Sequence, residues 1–137
     1  MAPASRAVDS LRMNAIPAGG HTLVNVEDPV VESFEGRFFR LRRALGTTAF
    51  GINEVRLPAG SSGKQHDERE TGHEEVYVVL DGSGTFTLDG TPVAVKPGDY
   101  LRVDAEVVRT ATAGPDGLRF IAVGSKALPE YDGRSVL

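Results

Sequence analysis

Residues 60–84 read GSSGKQHDERETGHEEVYVVLDGSG, and the way this stretch is read decides the fold. It holds two of the three histidines in the chain and its densest run of carboxylates. An apolar run, Val76–Leu80, and a glycine turn, Asp81-Gly82-Ser83-Gly84, follow directly. Imidazoles and carboxylates at the mouth of a strand are the materials of a metal centre or an acid/base site. In Glu75–Leu80, Tyr77 and Val79 point one way while Val76, Val78 and Leu80 point the other. A strand apolar on both faces suits a two-layered β structure.

Working outward from this stretch, short β-rich runs alternate with turn signals. The pattern predicts strands at His21–Val26, Arg37–Arg43, Thr48–Leu57, Glu75–Leu80, Gly84–Leu88, Thr91–Val95, Tyr100–Val103, Val107–Thr112 and Leu118–Gly124. Between them lie Pro58-Ala59-Gly60, Asp81-Gly82, Asp89-Gly90, Pro97-Gly98-Asp99 and Gly114-Pro115-Asp116-Gly117. Asp-Gly between apolar runs marks a hairpin, because a type I′ turn needs positive φ at both central residues. No segment keeps a 3.6-residue apolar period over the length of a globular helix. Many short, regularly spaced strands imply an all-β sandwich or barrel. Residues 1–20, broken by Pro3, Pro17, Gly19 and Gly20, read as an N-terminal arm, and 21–137 as a single barrel domain.

Composition narrows the partners. A net charge of −4 argues against nonspecific nucleic-acid binding, which needs a basic face. The Arg37–Arg43 segment interleaves Arg with aromatics, yet the acidic balance elsewhere favours a solvated or dimer-facing strand. The absence of Cys excludes disulfides, thiolate catalysis and cysteine-ligated metals, and fits a cytoplasmic protein. No apolar run reaches the length of a membrane span, and Arg6, Asp9, Arg12 and Asn14 interrupt any signal-peptide core, so neither a membrane partner nor a leader is expected. The excess of Arg over Lys, with abundant Ala, Gly and Val, is the composition of a high-GC bacterial chain.

The motifs resemble those of the cupin superfamily. Gly60, five residues and His66 match the opening of its first motif; Glu75, six residues and Gly82 match its close; Pro97-Gly98-Asp99 matches the start of its second. The match covers roughly residues 45–124. The resemblance implies a cupin-type jelly-roll β-barrel (a double-stranded β-helix), often dimeric, with a pocket inside. In the family's standard pattern three His and one Glu bind a divalent metal. Here Glu68 stands where the second His would fall, and six residues separate it from Glu75 instead of three or four. Arg109 stands in place of the second-motif His, and Ala113 in place of its Asn.

These departures set the chemistry expected of the site. His66, Glu68, His73 and Glu75 offer a four-ligand set for one divalent ion (Fe, Mn, Ni or Zn), with His73 and Glu75 on one face if the strand already runs through both. Arg109 opposes such a site, since a guanidinium stays protonated and cannot coordinate a cation. It would pair with Glu75 or Glu68 and fill the vacant metal position, or capture a ligand carboxylate or phosphate. Three readings follow. The first is a binding protein for a small, anionic organic molecule, held by His66, Glu75, Tyr77 and Arg109. The second is a metal-dependent dioxygenase, isomerase or decarboxylase. The third is a metal-free acid/base enzyme in which His66 or Glu75 moves the proton. Tyr77 and Phe86 are expected to fill core, His21 to be structural or exposed, and the chain to form a homodimer.

Overall fold

The computed structural model describes residues 20–128. The arm expected at 1–20 falls, but for its last residue, outside them. Seven strands form the fold: β1 (Glu32–Phe34), β2 (Phe38–Arg40), β3 (Gly51–Leu57), β4 (His73–Leu88), β5 (Thr91–Val95), β6 (Tyr100–Val103) and β7 (Arg109–Lys126), with a one-turn helix α1 (Arg42–Leu45) between β2 and β3. All pairings are antiparallel, in the order β1-β2-β3-β7-β4-β5, with β6 on the free side of β4.

The two long strands make this sheet a barrel. β4 and β7 pair along almost their whole length, with register breaks between Val79 and Asp81 and between Gly82 and Gly84. The first half of β4 pairs Glu75–Val79 with Phe120–Gly124 of β7, and β6 lies on its other side. Its second half pairs Gly84–Leu88 with Arg109–Ala113 and with β5. Each long strand therefore changes sheet at its middle, and two layers enclose one core. Isolated bridges from Ser62 to Thr112 and from His66 to Arg109 add the 60–66 segment to the second layer. The core is Val55, Leu57, Tyr77, Val79, Phe86, Val95, Val103, Leu118 and Phe120, closed by Ala111, Ala113 and Ala122. Tyr77, Phe86 and Phe120 pack pairwise at ring separations of 4.8–5.6 Å, two of the pairs edge-to-face.

Several sequence expectations hold to the residue. Thr91–Val95 and Tyr100–Val103 are strands. Asp89 and Gly90 both have positive φ, 47° and 84°, as the hairpin requires. Others need correction. Glu75–Leu80 and Gly84–Leu88 are one strand, as are Val107–Thr112 and Leu118–Gly124 with their ends trimmed or extended. Asp81-Gly82 and Gly114-Pro115-Asp116-Gly117, read as chain reversals, are the corner at which the two long strands turn together. His21–Val26 forms no strand of the described sheet; an Asx turn, Glu27 N–H donating to Asn25 Oδ1 at 2.9 Å, begins within it. Arg37–Arg43 yields only three strand residues before α1, which ends on Gly46 in the left-handed region, φ 76°.

The outer face of β3 carries a charged cluster. Glu54, 5% exposed, accepts from Arg56 at 2.7 Å and from Arg119 at 3.1 and 3.3 Å. Arg56 also pairs with Glu27 at 2.8 Å and lies over the Phe39 ring, fastening the 25–31 segment to the barrel wall. Burial pushes the Glu54 carboxyl up, but hydrogen bonds and charge from the two guanidiniums outweigh it, and its pKa falls below the ordinary value.

The corner depends on missing side chains. A Cβ on Gly82 (φ 79°) would strike the Gly117 carbonyl, whereas one on Gly90 (φ 84°) would meet nothing within 4 Å. Gly90→Ala is therefore expected to cost about 1 kcal/mol for its backbone strain alone, and Gly82→Ala roughly 3 kcal/mol or more. Urea denaturation of the two variants beside the parent checks the difference; equal costs would contradict this account of the corner.

Candidate functional site

Arg109 and His66 face each other across a backbone pair: Arg109 N–H donates to His66 O at 2.8 Å and His66 N–H to Arg109 O at 3.0 Å. Arg109 begins β7 in the second layer, and its side chain crosses the barrel to the first. Nη2 donates to Glu75 Oε1 at 2.8 Å and Nε to the Tyr77 hydroxyl at 3.1 Å. Nη1 donates to the carbonyls of Val107, at 2.7 Å, and Asp104, at 3.4 Å. The side chain is 1% exposed. Period-2 alternation explains the inward aim, because Arg109, Ala111 and Ala113 are all buried on one face of β7. Among the described residues no buried side-chain nitrogen or oxygen lacks a hydrogen-bond partner.

Glu75 is the hub on the opposite wall. Its Oε1 accepts from Arg109 and from the Tyr77 hydroxyl, the latter at 2.8 Å. His66 Nε2 stands 3.7 Å from this oxygen and 3.4 Å from Glu68 Oε1. Glu68 is braced by the Thr71 hydroxyl, which donates to Oε2 at 2.8 Å. His66 Nδ1 lies 3.2 Å from the Lys64 carbonyl, so it carries the ring proton in the neutral imidazole and leaves the Nε2 lone pair facing the carboxylates. Beneath this polar group is a cavity of about 160 Å³ whose floor is largely apolar, with Phe38, Val55, Phe86 and Phe120 among its walls.

The electrostatics are coupled. Burial would raise the Glu75 pKa, but His66, Tyr77 and Arg109 together hold it below the usual carboxylate value. The Glu75 carboxylate raises the His66 pKa above 6.5 against burial and the Arg109 charge. Burial and the adjoining Glu75 charge keep Tyr77 protonated throughout the physiological range. For Arg109, burial is outweighed by its Tyr77 and Glu75 partners, which raise its pKa further.

The structure thus brings together His66, Glu68, Glu75, Tyr77 and Arg109. One donor atom each from His66, Glu68 and Glu75 lies within 4.8 Å of the others, but His73 is not in this cluster. His73 opens β4, opposite Lys126, and shares the alternation of Glu75. Two residues of strand separate it from Glu75 by roughly 6–7 Å along β4. Of the two expectations for Arg109, the salt bridge to Glu75 is present, and no more than one of its five N–H groups remains for a ligand. Asn53, Phe38 and Lys64 also line the pocket and were not singled out from the sequence. Alternation from Val55 to Asn53, and from His66 back to Lys64, is the signal that reaches two of them.

The residues suit the family's divalent metal poorly. Glu75 Oε1 already accepts two hydrogen bonds, and the donor set has one imidazole and two carboxylates. A metal bound to Glu75 would stand about 4 Å from the guanidinium, and at an effective dielectric near 20 the divalent charge would be penalised by roughly 8 kcal/mol.

A double-layered antiparallel barrel with a polar cluster at one mouth and an apolar interior defines the cupin class. The family model for the cupin domain matches residues 53–124, and the chain belongs to that family. The chain is 32% identical over 83 residues to dimethylsulfoniopropionate lyase DddW of Ruegeria pomeroyi, a match covering 59% of this chain and 55% of that protein. It thus spans about half the length of the curated relative it matches. A cupin protein from Bacteroides fragilis superposes with a TM-score of 0.63 at 26% identity, covering 80% of this chain and 92% of the other. A Cupin 2 conserved barrel domain protein from Salinispora arenicola gives a TM-score of 0.62 at 16% identity over 83% and 92% of the two chains, a likeness of fold.

The raised His66 pKa has a sign. A group whose pKa is higher folded than unfolded contributes stability that is complete below the unfolded value, 6.5, and lost as pH rises through the folded value. Stability measured by urea denaturation from pH 6 to 8.5 should therefore contain a declining component that His66→Gln removes. A profile unchanged by that substitution would show that the imidazole gains no protonated-state stabilisation from Glu75.

Proposed function

We propose that this chain binds a small organic molecule, anionic in part, in the barrel pocket, with no resident metal ion. The observation that carries the reading is the 2.8 Å contact between Arg109 and Glu75, a fixed cation in the seat of a metal-ligating imidazole. A salt bridge there preserves the shape of the mouth, through hydrogen bonds to Tyr77 and to the carbonyls of the 104–107 loop, and needs no ion to do so. The apolar floor supplies contact area for a ligand body, and His66, Glu68 and Glu75 supply orientation.

A second reading is favoured by the geometry of His66. Its Nδ1 is fixed by the Lys64 carbonyl, its Nε2 faces the carboxylates, and the Glu75 carboxylate raises its pKa above 6.5. A metal-free proton-transfer enzyme would use His66 as base, with Tyr77 and Arg109 as fixed donors holding Glu75 ionised. The similarity to a lyase supports keeping an elimination or other proton-abstraction reaction among the activities to assay. A metal-dependent enzyme built on His66, Glu68 and Glu75 remains the rival, since their donor atoms cluster.

Metal analysis separates these readings. The purified parent chain, incubated with Mn²⁺, Fe²⁺, Ni²⁺ or Zn²⁺ and desalted, should retain well under one equivalent. Arg109→His, which removes the cation and supplies an imidazole beside His66 and Glu75, should retain close to one. A full equivalent on the parent, lost in Glu75→Gln, would reverse the proposal in favour of the metal-dependent enzyme.

A further inference from the structure

We infer that the ligand site is bipartite: the barrel pocket continues into a second cavity under the β1–β2 hairpin, where Lys64 and Arg40 take the anionic group of the ligand. The inference rests on the small-molecule reading above and assigns to these two residues the anion recognition that Arg109, already engaged, does not supply. The second cavity is about 350 Å³ and shares Phe38, Asn53, Val55 and Lys64 with the barrel pocket. Phe34 and Arg40 extend it, with the Arg40 guanidinium 4.8 Å from the centre of the Phe34 ring. Phe34 is 42% exposed, an open aromatic surface at the outer end.

Charge gives the site a direction. No acidic residue lines the second cavity. Among the described residues Lys64 and Arg40 enter no salt bridge, a property they share with Arg37, Arg42, Arg43 and Lys126, and they alone of these line the cavity. Two uncompensated cations flanking an apolar cavity are complementary to an anion carried on an apolar body. At the other end the barrel mouth presents the carboxylates of Glu68 and Glu75, which repel an anion and accept hydrogen bonds. A ligand satisfying both ends is elongated, with a carboxylate or phosphate at Lys64 and Arg40, an aromatic or aliphatic middle across Phe38 and Val55, and a donor group toward His66 and Glu68. Lys64 sits two residues before His66 in an extended segment, so the ammonium and the imidazole lie on one side of it, at the junction of the two cavities.

The test uses the full chain and four probes: 3-phenylpropionate, phenyl phosphate, 3-phenylpropanamide and 3-phenylpropylamine. Calorimetry gives affinities, and ring resonances of Phe34, Phe86 and Phe120 report where each probe sits. At least one of the two anions should bind about five- to tenfold tighter than the amide, and the amine more weakly still. Lys64→Gln combined with Arg40→Gln should remove that preference, while Lys96→Gln combined with Lys126→Gln, an equal charge change outside both cavities, should leave it intact. Which anion binds better identifies the head group as carboxylate or phosphate, and either preference supports the inference. If the amide matches both anions while the barrel rings shift, or if the double variant keeps the preference, the bipartite site is overturned and the small-molecule reading stands. If no probe shifts Phe86 or Phe120, both fall.

Discussion

Arg109 donates to Glu75, Tyr77 and two backbone carbonyls from a position water barely reaches. Its main chain is locked to His66 in one layer of the barrel while its side chain grips the other layer, and its Nη1 holds the loop that precedes β7. A buried ion pair is weak evidence for net stability, because desolvation offsets much of the attraction. It is strong at fixing geometry, since a guanidinium fork satisfied on several sides has one orientation. The cation joins His66 and Tyr77 in holding Glu75 ionised, and it ties the Glu75 wall to the 104–107 loop. The guanidinium fills the space beside Glu75 between the two layers.

That contact exists only because the long strands bend. Arg109 is paired with Leu88, which lies on the same strand as Glu75. Were β4 straight, Leu88 and Glu75 would be roughly 40 Å apart. The register breaks near Asp81 and Gly82 and the Gly114–Gly117 corner fold the ladder back on itself, so that Arg109 and Glu75 meet at 2.8 Å across the interior. The glycines are part of the site in this sense. The Gly82 backbone passes so close to Gly117 that no side chain fits between them, and that approach sets the spacing of the two layers whose inner faces carry the polar cluster.

The motif residues make the barrel legible in the sequence. The family match spans Glu75, Gly82 and Pro97-Gly98-Asp99, and Arg109 faces inward as the alternation of Val107, Arg109 and Ala111 implies. Strand continuity was harder to read. Gly82 and Gly117 have the φ of turn residues but sit at a bend inside a ladder, and composition does not distinguish a chain that reverses from one that turns a corner in step with its neighbour. His73 shows the limit of periodicity at a site: alternation gives the face of a strand but not the distance along it, and His73 is on the right face at the wrong height. The 42–45 turn was hidden for another reason. Four residues are too few to display a helical period, and only Gly46 marks its end.

Two carboxylates, Glu54 and Glu75, are drawn into the wall of this barrel, and they are held there in different ways. Glu54, on the outer face, is held by two guanidiniums. Both its neighbours keep their charge at every physiological pH, so the cluster is electrostatically static and serves as a rivet for the 25–31 segment. Glu75, on the inner face, has one guanidinium, one phenol and an imidazole at 3.7 Å. Of these three only the imidazole changes charge near neutrality. The inner cluster can therefore take up or release a proton at little structural cost, because Arg109 and Tyr77 hold Glu75 in place in either state of His66. That asymmetry, a fixed half and a titrating half sharing one carboxylate, is what distinguishes the inner cluster from the outer one.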